Sequence, residues 1–183
     1  MAVLAALVAL SLAAAACGGS SSGGSSTGGS SPANTATAPK FDPAAAPLSL
    51  TSDPASKTVK FTLVAGYNSS NSGMNFNGYS QGALVLSVPT GWTATVTCQN
   101  KATISHSCAV VSGPGATQPS SPGAGTQNPT SGLGGGQTGT FNFTAASPVI
   151  ERISCLVPGH EAAGMWITLR IVASGNPSAS VTS

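Results

Sequence analysis

Charge is what this chain has least of. Of its 183 residues six are basic and four acidic, a charged fraction of 5%, where an average domain carries roughly a quarter. Six scattered basic residues cannot build the positive stripe that neutralises a phosphate backbone, so no nucleic acid is expected as a partner. Four carboxylates leave little room for a paired-carboxylate hydrolase. Acid unfolding mostly follows from protonating paired carboxylates, so their scarcity predicts thermal stability that stays flat from neutral down to about pH 2. A helical apolar stripe is missing as well: no segment of useful length repeats at 3.6 residues.

What the chain does have is 23 glycines and 13 prolines, gathered largely into two tracts that shrink the part able to hold a core to one modest domain. Met1 to Ala16 is apolar except for Ser11 and ends at Ala13-Ala14-Ala15-Ala16-Cys17, shorter than the roughly 20 residues a bilayer-spanning helix needs. The small residues before Cys17 resemble the cleavage box of bacterial lipoprotein signals, which would make Cys17 the lipidated first residue of the mature protein. A plain secretory signal is the alternative. Residues 18–57 then read as a flexible Gly/Ser/Pro/Ala-rich tether, 58–174 as the folded domain, and 175–183 as a disordered tail.

Within the domain, Thr58–Ala65, Ala83–Val88, Trp92–Cys98, Ser107–Val111, Gly139–Thr144 and Met165–Val172 alternate as half-buried strands do. Turn chemistry separates them at Asn77-Gly78, Pro89-Thr90-Gly91 and Pro158-Gly159. The pattern predicts an all-β, two-sheet Greek-key sandwich, with Phe61, Trp92, Phe141, Phe143 and Trp166 as the large core residues. Residues 112–139, rich in Gly, Pro and Ser and free of charge, lack both alternation and a full set of N–H donors, and are expected to form a long surface loop between two strands.

The chemistry sits near the carboxyl end, in Cys155-Leu156-Val157-Pro158-Gly159-His160-Glu161-Ala162-Ala163-Gly164-Met165. A thiolate, an imidazole and a thioether share one loop in the order Cys-x4-His-x4-Met. Soft sulfur with imidazole selects copper, and two histidines, a cysteine and a weak axial methionine describe an electron-transfer copper site. The second histidine is His106, the only other one in the chain, placed just before a strand. Zinc is disfavoured by the thioether, since structural zinc sites close a tetrahedron of Cys and His. A multicopper oxidase is excluded because two histidines cannot supply the His-x-His pairs of a trinuclear cluster. A thiol-nucleophile enzyme lacks an Asp or Asn placed in the local sequence to orient His160, and the nearby acid Glu161 points along the same loop.

The segments Met74–Tyr79, Val88-Pro89-Thr90-Gly91-Trp92, Ser105-His106-Ser107 and Cys155–Trp166 resemble those of the small blue copper proteins, the cupredoxins, and within them the sulfocyanin and rusticyanin branch. The likeness runs from about Val59 to Val172. It implies a seven- or eight-stranded sandwich, one type 1 copper ion held by His106, Cys155, His160 and the long axial Met165, and one-electron exchange with respiratory partners outside the cytoplasm. Ser107, Pro158, Gly159 and Gly164 would support those ligands from behind. Many cupredoxins have Asn at this position, whereas this chain has Ser107 and in that resembles the high-potential rusticyanins, which implies a weaker anchor for the ligand loop and a fairly high potential.

Cys98 and Cys108 are not needed by that pattern. With Cys17 assigned to lipid and Cys155 to copper they form an even pair in an exported protein, which predicts a disulfide beside the first ligand, although Cys108 is near enough to His106 to compete for metal instead. The residues around His160 are apolar apart from Glu161, so a protein redox partner, such as a cytochrome or terminal oxidase, is expected to dock there with little electrostatic steering. The chain is expected to be a monomer anchored to the outer face of the bacterial cell membrane. The competing readings are an exported binding or adhesion sandwich whose Cys, His and Met are incidental, and a copper-storage protein.

Overall fold

The computed structural model describes residues 45, 46 and 48–182. The signal segment, Cys17 and the first part of the tether therefore lie outside the described residues.

Among the described residues nine strands follow one another: β1 Leu50–Asp53, β2 Thr58–Ala65, β3 Leu84–Pro89, β4 Thr93–Asn100, β5 Ala109–Val111, β6 Thr138–Thr144, β7 Val149–Ser154, β8 Trp166–Val172 and β9 Ser178–Val181. They form two sheets, one ordered β1-β2-β4-β6 and the other β5-β7-β8-β3-β9. Pairing is antiparallel except for β2 with β4 and β3 with β8. The expected all-β sandwich is therefore the observed one.

Alternation explains the core. On β2, Val59, Phe61, Leu63 and Ala65 point inward while Lys60 faces out, and Ala94, Val96 and Cys98 do the same on β4. Phe141 and Phe143 of β6 meet Leu86, Val88, Ile167 and Leu169 of the other sheet in one continuous cluster. Each such side chain stabilises the fold by about 1.5–3 kcal/mol when fully buried. Trp92 belongs to this cluster, but Trp166 is only half-buried.

Three strands depart from the sequence reading. β1 lies inside the expected tether, because Leu50–Asp53 pairs antiparallel with β2 while leaving three of its four side chains exposed. β9 lies inside the expected disordered tail, paired with β3 through backbone bonds with all four side chains exposed. β7 has an exposed start and a buried end, so its pattern never alternates. The Gly/Pro/Ser-rich segment after β5 contains no named strand, yet it does not stay at the surface. Ala124 and Thr126 are buried, and Val110 N–H donates to the Ala124 carbonyl while Thr126 N–H donates to that of Cys108, covering the open edge of β5.

The topology sets the site. β5, β7 and β8 are neighbours, with Ala109 opposite Ser154 and Ser154 opposite Trp166. The residues just before β5, just after β7 and just before β8 therefore meet at one end of one sheet, and these are His106-Ser107, Cys155 and Met165.

Candidate metal centre

The turn from β7 to β8 is shaped by its own residues. His160 N–H donates to the Val157 carbonyl at 3.1 Å, with Pro158 second and Gly159 third at φ +86°, the arrangement of a type II turn, in which the third position favours glycine. Met165 N–H then donates to the His160 carbonyl at 3.0 Å and Cys155 N–H to the Met165 carbonyl at 3.1 Å. Gly164 has φ +94°, and a Cβ there would stand 2.7 Å from Gln81 Cγ. The backbone thus ties Cys155, His160 and Met165 together before any side chain is considered.

The side-chain donors converge. His106 Nδ1 lies 3.2 Å from His160 Nδ1, and Cys155 Sγ lies 3.4 Å from His160 Nδ1 and 3.9 Å from His106 Nδ1. The two imidazoles meet edge-on at 60°. Donors bound to one ion at about 2.0–2.3 Å stand no more than roughly 4.3 Å apart, and all three separations satisfy that limit. Left to themselves the groups satisfy one another poorly, because only one proton fits between two facing nitrogens. One soft cation satisfies all three. Met165 is fully buried in the same core.

Electrostatics favours the neutral forms. Burial, and then the facing His160, hold His106 down to about 4; burial likewise lowers His160. Burial pushes the Cys155 thiol up, opposed by hydrogen bonds from Ser107 and Val157. Neutral imidazoles are ready ligands, whereas the thiol needs a metal cation to draw off its proton.

Ser107 anchors the loop more fully than the serine-for-asparagine comparison implies. Its N–H reaches Cys155 Sγ at 3.3 Å and its hydroxyl approaches the same sulfur at 3.7 Å, while Leu156 N–H donates to Ser107 Oγ at 2.8 Å. Cys98 and Cys108 are joined by a disulfide with Cα atoms 6.0 Å apart, which leaves Cys155 as the free cysteine among the described residues. That bond links β4 to the start of β5, one sheet to the other, and keeps Cys108 away from the metal ligands.

Several supporting residues escape a reading of the sequence. Asn100 donates to the Ile104 and Leu133 carbonyls at 2.7 and 2.8 Å, and Leu133 exchanges two backbone bonds with His106. Asn71 donates to the Ala163 carbonyl at 2.8 Å. Gly66, at φ +62°, lies against His106, and a Cβ there would stand 3.2 Å from its Nε2. Asn100 stands between Gln99 and Lys101, Asn71 between two serines and Leu133 in a Gly-rich tract, so nothing in the sequence around them signals these contacts.

A profile of the sulfocyanin (SoxE) domain matches residues 45–182. The chain belongs to the sulfocyanin family. Sulfocyanin of Sulfolobus acidocaldarius is 33% identical over 136 residues, which is 67% of each protein. Among solved structures, dithionite-reduced auracyanin from Roseiflexus castenholzii aligns over 64% of this chain and 98% of its own, with 24% identity and a TM-score of 0.47. A rusticyanin aligns over 63% and 77%, with 23% identity and a TM-score of 0.45. With family and donor set in agreement, the cofactor is one type 1 copper ion.

Proposed function

We propose that this sulfocyanin-family protein is a one-electron carrier that exchanges electrons with protein partners outside the cytoplasm, and that His106, Cys155, His160 and Met165 are the residues that would hold its copper. The observation that carries the assignment is the convergence of three donors, two of them fully buried, on one point. Copper would supply the change of oxidation state. The chain supplies a cage whose backbone bonds resist any change of shape between the two states, so little reorganisation accompanies transfer.

Partners dock on the exposed turn. Pro158, Gly159, Ala162 and Ala163 are exposed and His160 is half-exposed, whereas Leu156 is buried and takes no part. Glu161 adds no net charge, since Arg152 pairs with it at 2.6 Å. An uncharged face gives electron self-exchange between copies that depends weakly on salt. Introducing like charges with Ala162→Glu should slow self-exchange about tenfold at low salt while the visible spectrum stays put. An unchanged rate would place docking elsewhere. A lipid on Cys17 would keep this carrier at the membrane surface, and loss of membrane association in Cys17→Ala is the matching test.

A further inference from the structure

Arg152 lies on β7, three residues before Cys155, and no ligand pattern assigns it a role. Ser154 stands opposite Trp166 across the β7–β8 pair, so Arg152 is the diagonal neighbour of Trp166 on the same face. Its guanidinium carbon sits 3.7 Å from the centre of the Trp166 ring, and its Nη1 donates to Glu161 Oε1 at 2.6 Å with both side chains mostly covered. The other carboxylate oxygen of Glu161 accepts from Gly115 N–H at 3.2 Å. Trp166 is in turn fixed by Gly82, where a Cβ would collide with ring atom Cζ3, and by the bond from Gly82 N–H to its carbonyl at 3.0 Å.

Glu161 follows His160, and Trp166 follows Met165. One guanidinium therefore grips the ligand loop immediately beyond two of its three donors, while its own strand runs into the third. We propose that Arg152 is a positioning residue of the copper site, a clamp that fixes the spacing of His160 and Met165 against Cys155 through Glu161 and Trp166. This rests on the copper assignment above. The planar fork is essential, because only arginine can stack on an indole and hydrogen-bond a carboxylate in the plane of the same group.

The test has a metal-free and a metal-loaded arm. In the metal-free protein, amide hydrogen exchange at Ala163, Gly164 and Met165 should be about tenfold faster in Arg152→Gln than in wild type, with Phe61 and Val96 in the opposite sheet unchanged. Arg152→Lys should fall between, keeping the ion pair and losing the stack. Glu161→Gln should move the same amides in the same direction, and it decides the matter should Arg152→Gln not fold. In the loaded protein, Arg152→Gln should shift the reduction potential and the copper hyperfine splitting in electron paramagnetic resonance. Unchanged loop exchange in the folded variants would overturn the proposal, and so would faster exchange with a wild-type potential and spectrum, since that marks a purely structural contact. Absence of any copper signal in wild type would count against the copper assignment alone, and the exchange arm would still decide whether the clamp exists.

Discussion

Ser107 shows how much one side chain settles at this site. Its hydroxyl accepts from Leu156 N–H at 2.8 Å and reaches toward the Cys155 sulfur at 3.7 Å, in surroundings closed to water. Ser107→Ala removes an acceptor and orphans a buried N–H, which should cost about 1–3 kcal/mol in chemical denaturation. The same change leaves all four ligands in place, so the variant should still bind copper, with a shifted potential. Wild-type stability would mean that the Leu156 amide finds another partner. The convergence of His106, Cys155 and His160 was legible in the sequence because Cys and His carry their chemistry wherever they stand, and one loop left His106 as the only other histidine. Arg152, Asn71 and Asn100 were not, because nothing in a sequence says which carbonyl or carboxylate a side chain will reach across the fold.

Strands that alternate were legible, and those that do not were missed for a physical reason. β2, β4 and β8 each bury every second residue, and their positions followed from pattern alone. β1 and β9 are edge strands held by backbone bonds with almost no side chain to bury, so their composition resembles that of a tether or a tail. β7 changes from exposed to buried along its length as it enters the site. The exit from β2 gives a test at this scale. Gly66 takes φ +62° and leaves room for Ala102 and the His106 ring, where a Cβ would stand 2.5 Å from Ala102 Cβ. Gly66→Ala combines a strained backbone with a clash behind a ligand, so a loss of about 1–3 kcal/mol is expected, together with faster removal of copper by a chelator. Retention of copper at the wild-type rate would show that the His106 segment yields without disturbing the ligand.

For the molecule as a whole, acid response depends on histidines more than on carboxylates. Asp53 is lowered mainly by the Ser56 hydroxyl and Glu151 is raised by burial, shifts of opposite sign. His106 is held neutral down to about 4 against an ordinary 6.5. Between those values the unfolded chain binds the extra proton, so the metal-free protein should lose stability as pH falls from 6.5 to about 4. Copper held by His106 and His160 would block that protonation, so the loaded protein should hold its melting temperature across that window. The flat profile expected from composition alone is thus assigned to the loaded form. Equal slopes with and without copper in calorimetry would contradict this.

The most direct measurement is the visible spectrum of the purified protein after one equivalent of Cu(II), repeated on Cys155→Ser. A type 1 site predicts an intense blue thiolate-to-copper band that ascorbate bleaches and that the variant lacks. Folded wild-type protein that stays colourless, or a variant that keeps the band, would contradict the assignment of Cys155, His106 and His160 to one copper ion.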